Sequence, residues 1–236
     1  MSSYPDDTKL VHMNIPGAHD AATWNYTLEA KLKVPPSDWL RCQEKSIGEM
    51  LESGIRAFDL RLEQDVAHVN LVFWLGTALL SQTASVDDMM FGFYQWLDEH
   101  PTEVLFLSWM REGSQVNAAA VQQRIYNTLL DLSGREAIYF ASACPERWED
   151  NRASITVIYN EDRINGSGDG TAHIEDHYGP ETLPSSSLQE NIDVKLDAVQ
   201  SHLTNSEQPD PLYWGFASGK NVQHDVAVTP ALIAQG

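Results

Sequence analysis

The run Val104-Leu105-Phe106-Leu107-Ser108-Trp109 restricts the fold more than any other feature. It does not alternate between apolar and polar residues. That is the signature of a strand covered on both faces, as in a parallel sheet flanked by helices. Just upstream, Val86, Met89, Met90, Phe93 and Leu97 recur at helical spacing. Ser85 is placed to cap that helix, and Asp88 three residues on completes a capping box. A capped amphipathic helix running into a doubly covered strand is part of a β–α–β unit.

The same alternation extends along the chain. Residues 11–15, 57–62, 70–74, 155–159 and 212–217 read as strands. Residues 39–53 read as a helix stopped by Gly54. Val121, Ile125, Leu129 and Leu132 mark another helix, and Leu188, Ile192, Leu196, Val199 and Leu203 a last one. This predicts an α/β fold with a largely parallel sheet. Neither a repeat nor an interdomain linker is legible, so residues 1–236 are expected to form one domain. Residues 165–187, rich in Gly, Ser, Pro and acidic side chains, read as a long surface excursion. A (β/α) barrel usually needs about 250 residues. At 236 residues the chain points to a distorted, incomplete TIM-type barrel.

Charge narrows the function. Fifteen Lys and Arg against 34 Asp and Glu leave a net charge of −19. A nucleic-acid binder needs a basic face to displace counterions, so that class is disfavoured. Purely electrostatic docking on an anionic membrane is disfavoured too. No apolar run reaches the roughly 20 residues of a membrane span, and the N-terminus shows no signal-peptide pattern. The default expectation for location is the cytoplasm. Two cysteines, Cys42 and Cys144, cannot build a thiolate zinc site by themselves. They fit free thiols, with a single long-range disulfide as the alternative.

Two segments carry candidate chemistry. Ile15-Pro16-Gly17-Ala18-His19-Asp20 puts a His-Asp pair at the end of a strand, after a Pro-Gly turn. In a parallel barrel that end holds the active site, although the pair also fits a surface turn. In Gly54-Ile55-Arg56-Ala57-Phe58-Asp59-Leu60-Arg61, Asp59 and Arg61 stand two apart on a strand and so share a face. Such a pair suits a phosphate or polyol site; a structural ion pair is the other reading.

Taken in order, these segments resemble the X domain of phosphatidylinositol-specific phospholipase C, in its bacterial-type, calcium-independent branch. Residues 15–21 read IPGAHDA for that family's IPGTHDS-like start, and residues 54–61 read GIRAFDLR for its GIRxFDIR segment. His100-Pro101-Thr102-Glu103 stands for its HPSE turn into the apolar strand. The resemblance runs through residues 11–112 and more thinly through 155–218. It implies the phospholipase-C-like phosphodiesterase fold and a reaction in which an inositol hydroxyl attacks phosphorus to give a cyclic phosphate.

By position, the resemblance makes His19 the general base. Asp20 then contacts the attacking hydroxyl and the arginine, Arg61 clamps the phosphate and Asp59 orients the site. A histidine can exchange a proton near neutrality, and a guanidinium matches phosphate oxygens. Ile174-Glu175-Asp176-His177-Tyr178 is similar to the family's Asp-x-Tyr, which makes Asp176 and Tyr178 substrate-binding candidates. Arg111 is a further phosphate-site candidate. No metal and no other cofactor is implied, because Arg61 takes the place of calcium. The implied partner is an inositol phospholipid or a soluble inositol phosphodiester, with at most transient peripheral membrane contact.

One departure matters most. The family's second catalytic histidine lies in a V-F-[YW]-H-G pattern, and this chain reads Val72-Phe73-Trp74-Leu75-Gly76. Leu75 cannot donate a proton. Two readings follow: a phosphoric diester hydrolase impaired by loss of its general acid, or an inactive relative that binds an inositol phosphate or polyol phosphate. Trp24, Tyr26 and Trp39 are the aromatics that could touch a membrane, unless they are core.

Overall fold

Strand β2 (Ala57–Gln64) organises the sheet because its two faces have different jobs. Phe58, Leu60 and Leu62 are fully buried on one face, where the Phe58 ring lies 5.2 Å from Phe93 of a covering helix. Asp59, Arg61 and Glu63 alternate onto the other face. The computed structural model describes residues 12–26, 40–64, 70–75, 78–80, 84–100, 102–111, 139–142, 154–159, 172–175, 177–179, 183, 187–207, 212–219, 221 and 233. The chain divides into two compact units, Met1–Ser167 and Gly168–Gly236, and each is described by itself.

In the first unit β1 (Gly17–Ala18), β2, β3 (Leu71–Leu75), β4 (Ala78–Leu79), β5 (Val104–Arg111), β6 (Tyr139–Ser142) and β7 (Ser154–Tyr159) form one seven-stranded sheet. Its order is β4-β3-β2-β5-β7-β6, with β1 added on β2. Along one edge β2 pairs in parallel with β5, from Ala57–Phe106 to Leu62–Arg111. The other edge is shared. Its start pairs in parallel with β1 (Gly17–Ala57, Ala18–Phe58), and its end pairs antiparallel with β3 (Leu62–Phe73 to Gln64–Leu71). Residues 59–61 face the gap between these two ladders.

Helix α1 (Ile47–Glu52) and helix α2 (Val86–Glu99) contribute Met50, Leu51, Val86, Met90, Phe93, Trp96 and Leu97 to the core. Both start with a full capping box, Ser46 with Glu49 and Ser85 with Asp88. Each such cap contributes roughly 1 kcal/mol. Two pieces of the matched motifs serve this packing. Arg56 Nε bonds Glu103 Oε2 at 2.7 Å, and its guanidinium lies 4.5 Å above the Trp96 ring. His100 stacks on that ring from 4.1 Å.

The α/β class and the incomplete sheet agree with the sequence; several details do not. The sheet is mixed rather than largely parallel: β2–β3, β3–β4, β5–β7 and β6–β7 are antiparallel. Residues 11–15 are not a strand in their described part; pairing begins at Gly17. A Cβ at Gly17 would meet Ala57 Cβ at 3.2 Å, a tight contact, so the close approach of β1 to β2 favours glycine. The 39–53 helix shrinks to α1 because the capping box puts its start at Ser46. The helix expected over 121–132 lies outside the described residues.

In the second unit β8 (Ala172–Glu175) and β9 (Leu212–Gly215) pair in parallel, and α3 (Leu188–Asn205) contacts both. The excursion expected over 165–187 thus contains a strand. Glu175 and Lys195 form a buried ion pair at 3.0 and 3.1 Å, with Lys195 Nζ also donating to the His177 carbonyl at 3.2 Å. Burial works to raise the Glu175 carboxyl, but the His177 amide and Lys195 hold it below its usual value. Lys195→Met should strand the carboxylate and cost about 3–5 kcal/mol. Chemical denaturation monitored on this unit should show a lower midpoint; an unchanged midpoint would contradict the pair's structural role.

Candidate active site

The site lies at the gap in the β2 edge. After Ala18 the chain leaves β1 and turns through His19 and Asp20, and Asp20 adopts φ 46° and ψ 51°. That left-handed conformation costs most side chains about 1–2 kcal/mol, and Asp is among those that tolerate it best. Local bonds hold the turn. The Thr23 amide and hydroxyl donate to the Asp20 carbonyl at 2.9 and 2.7 Å, and the Cys42 amide donates to Thr23 Oγ1 at 3.0 Å. Gln43 Nε2 donates to the His19 carbonyl at 2.7 Å.

The turn brings two residues from β1's end onto two residues of β2. His19 Nδ1 lies 2.8 Å from Asp59 Oδ2, and His19 Nε2 lies 3.1 Å from Asp20 Oδ2. Arg61 Nε reaches Asp20 Oδ1 at 2.5 Å, while its Nη2 reaches Asp59 Oδ2 at 3.4 Å. The Asp20 amide completes the link to Asp59 Oδ2 at 3.4 Å. Two carboxylates and two basic groups therefore close on one another. The His19 and Asp20 side chains are 11% and 2% exposed, so the surface-turn reading of the His-Asp pair does not hold; Asp59 is equally buried.

Charge in this quartet is strongly coupled. Burial alone would depress the His19 imidazole, but the Asp20 carboxylate and the bond to Asp59 outweigh it and raise its pKa to about 10. Burial likewise works to raise Asp59, yet Arg61 and His19 hold that carboxyl below its ordinary value. His19 is therefore an imidazolium at neutral pH, with the ionised Asp59 carboxylate and Arg61 beside it.

The arrangement has the components for handling an anionic ester. Arg61 offers a fork of donors, His19 a transferable proton, and the carboxylates acceptors for hydroxyl groups. Sequence reasoning missed three neighbours. Ser108, 5% exposed, pairs with Asp59 across β2–β5 and shares its face. Cys42 donates its thiol toward Asp20 Oδ2 at 3.6 Å, and Gln43 holds the His19 backbone. Composition at 42–43 carries no signal for this, because the contact is made by the fold. Cys42 is a free thiol.

The remaining candidates are placed as follows. Tyr178 is half-buried in the second unit. Asp176 lies outside the described residues, as do the side chains of Arg111 and Leu75. The Leu75 backbone ends β3, paired with Ala78 in the β3–β4 hairpin, beyond the point where β3 leaves β2. Tyr26 is only 5% exposed and packs in the core. Trp24 lines an apolar cavity of about 480 Å³ with Ile47, Leu51, Phe73 and Trp96. Neither is a freely exposed membrane anchor; Trp39 lies outside the described residues.

No family model matches the chain. Among curated proteins, the 1-phosphatidylinositol phosphodiesterase of Listeria monocytogenes is 31% identical over 107 residues, which are 45% of this chain and 31% of the relative. The human PI-PLC X domain-containing protein 1 is 27% identical over 130 residues, 43% of this chain and 37% of the relative. The match thus spans well under half the length of these curated relatives. Among solved structures, the phosphatidylinositol-specific phospholipase C of L. monocytogenes superimposes with a TM-score of 0.65 at 20% identity. That likeness covers 100% of this chain and 82% of the other. A double mutant of the Staphylococcus aureus enzyme gives 0.63 at 16%, covering 99% and 81%. The fold is accordingly the distorted, TIM-barrel-like fold of the bacterial enzymes. In sequence over part of its length this chain is similar to phosphatidylinositol-specific phospholipase C X-domain proteins, and in fold over all of it to the bacterial enzymes.

Proposed function

We propose that the chain acts on an inositol phosphodiester as a phosphoric diester hydrolase. The convergence of His19, Asp20, Asp59 and Arg61 on one buried point, in the order and spacing of the matched motifs, carries this reading. The solved-structure likeness over the whole chain supports treating 1–236 as one phosphodiesterase domain; the motif resemblance alone makes Asp176, Tyr178 and Arg111 substrate-contact candidates.

In the proposed step Arg61 binds the phosphoryl oxygens. The hydroxyl next to the phosphate attacks phosphorus and passes its proton to His19 Nε2. The ester bond to the lipid alcohol breaks, leaving a cyclic phosphate. Because His19 starts as an imidazolium, it accepts the hydroxyl's proton only in the fraction that has first released its own Nε2 proton to solvent. The departing alkoxide also needs a proton, and Leu75 supplies none. Cleavage of phosphatidylinositol should therefore be slow, as loss of a general acid typically costs about 100- to 10,000-fold. A nitrophenyl inositol phosphate, whose leaving group needs no proton, should suffer less. Arg61 supplies the charge a calcium ion would otherwise bring, so a chelator should not lower turnover.

Phosphorus NMR of both substrates with the protein tests this. Cyclic phosphate formed faster, relative to an intact bacterial enzyme, from the nitrophenyl ester supports the proposal. Absence of turnover on both, in a folded protein, would remove it. One observation favours a second reading, a binding protein without turnover. Both His19 nitrogens already face carboxylates, and Nε2 is shielded from solvent. That reading expects calorimetric binding of an inositol phosphate with no product. Among the described residues no helix is long and apolar enough to cross a membrane.

A further inference from the structure

Cys42 is not part of the phosphodiesterase reading, yet its sulfur sits against two of the four groups in the quartet. His19, Asp20 and Cys42 each present one ligand atom, and these atoms all lie within 4.8 Å of one another. Two of the three separations are those of a metal's ligand shell. Asp20 Oδ2 is 3.1 Å from His19 Nε2 and 3.6 Å from Cys42 Sγ. Tetrahedral zinc with bonds of about 2.0 Å to N and O and 2.3 Å to S has edges of about 3.3 and 3.5 Å.

The outer contacts are oriented in the same sense. Asp59 Oδ2 takes the Nδ1 side of His19 at 2.8 Å, which leaves Nε2 as the ligand nitrogen. A carboxylate on the far nitrogen is the usual support of a metal-bound histidine. Arg61 occupies Asp20 Oδ1, so Oδ2 is the oxygen turned toward the imidazole and the thiol. Three protein ligands leave a fourth position for water or a substrate oxygen.

We infer that Cys42, His19 and Asp20 form a site for a thiophilic divalent cation of the Zn(II) class, and that its binding shuts the reaction centre. A thiolate selects zinc, cobalt or cadmium over the hard ions magnesium and calcium. Binding displaces the proton of the Cys42 thiol and that on His19 Nε2, and no bond other than these is broken. The metal then holds the nitrogen and the carboxylate oxygen that a substrate hydroxyl would need. That binding is inhibitory rests on the proposed role of His19 and Asp20 in the reaction; the metal site itself does not depend on whether the protein turns over a lipid.

The test uses the full chain with Cys144→Ser, so that Cys42 is the remaining thiol, and no substrate. Co(II) titration should give a 1:1 complex with a near-ultraviolet thiolate charge-transfer band and the intense visible bands of tetrahedral cobalt. Zn(II) should displace it, and excess Mg(II) or Ca(II) should not. Cys42→Ser should abolish the charge-transfer band and weaken Zn(II) binding at least tenfold, read by competition with a chromophoric chelator. Cys42→Ala serves the same purpose should the serine variant fail to fold. Asp59→Asn, which leaves all three ligands in place, should weaken zinc by about 10- to 100-fold. A cobalt spectrum without the thiolate band would overturn the inference. So would zinc affinity unchanged in both Cys42 variants.

Discussion

Replacing Arg61 by lysine is expected to leave the protein folded while cutting turnover, or inositol phosphate affinity if there is no turnover, by about 100- to 1,000-fold. The reason is geometric. The guanidinium spans Asp20 Oδ1 through Nε and Asp59 Oδ2 through Nη2, and its planar fork of five donors is the shape that matches phosphate oxygens. Lysine keeps the positive charge between two buried carboxylates but is a point donor. It can hold the carboxylates or the phosphate, not both. Arg61→Ala should behave differently. It leaves Asp20 and Asp59 short of a cation in a site where they are 3% and 2% exposed, and should cost about 3–5 kcal/mol of stability besides. Calorimetry with an inositol phosphate, initial rates and thermal melts on both variants separate the two effects. A lysine variant with unchanged affinity and rate would show that Arg61 is a structural ion-pair residue rather than a clamp.

The second large effect is on pH dependence. His19 is raised from an ordinary 6.5 to about 10 in the folded protein. Its pairing with Asp20 and Asp59 therefore stabilises the fold fully below about pH 6.5, and that contribution is lost as pH climbs through about 10. The difference is worth up to about 5 kcal/mol, at about 1.4 kcal/mol per pKa unit for a group this buried. Asp59 works in the opposite sense. Its lowered carboxyl contributes above the ordinary carboxylate value of about 3.9, and the contribution fades as pH falls through its lowered folded value. Denaturation free energy should therefore be flat from about pH 4.5 to 6.5 and fall steadily on the alkaline side. His19→Gln should be less stable at neutral pH and should flatten the alkaline limb. The same shift governs catalysis. If His19 is the base, kcat/KM should climb tenfold per pH unit above neutrality instead of levelling near 6.5. Asp20→Asn should bring that limb down toward neutrality. A profile levelling near 6.5 in the parent protein would mean that the His19–carboxylate contacts do not persist in solution.

What the sequence determined by itself was local. The α2 helix was legible because Ser85, Asp88 and the apolar residues from Val86 to Leu97 signal start, cap and buried face within fifteen positions. The β5 strand was legible because double coverage leaves an unbroken apolar run. Asp59 and Arg61 could be put on one face because strand alternation depends on nothing beyond the strand. Tertiary structure decided whatever depends on partners distant in the chain. The direction of β3 and β7 was invisible, since the same apolar run serves a parallel or an antiparallel neighbour. The shared edge of β2, which opens the gap at residues 59–61, follows from how far β1 and β3 each reach along it. Cys42 and Gln43, expected inside the 39–53 helix, lie in the irregular stretch before α1, and only folding brings them to His19 and Asp20. The charge state of His19 belongs to the same class. A free histidine titrates near 6.5, and the burial of two carboxylates against its ring, which no local pattern encodes, moves it to about 10.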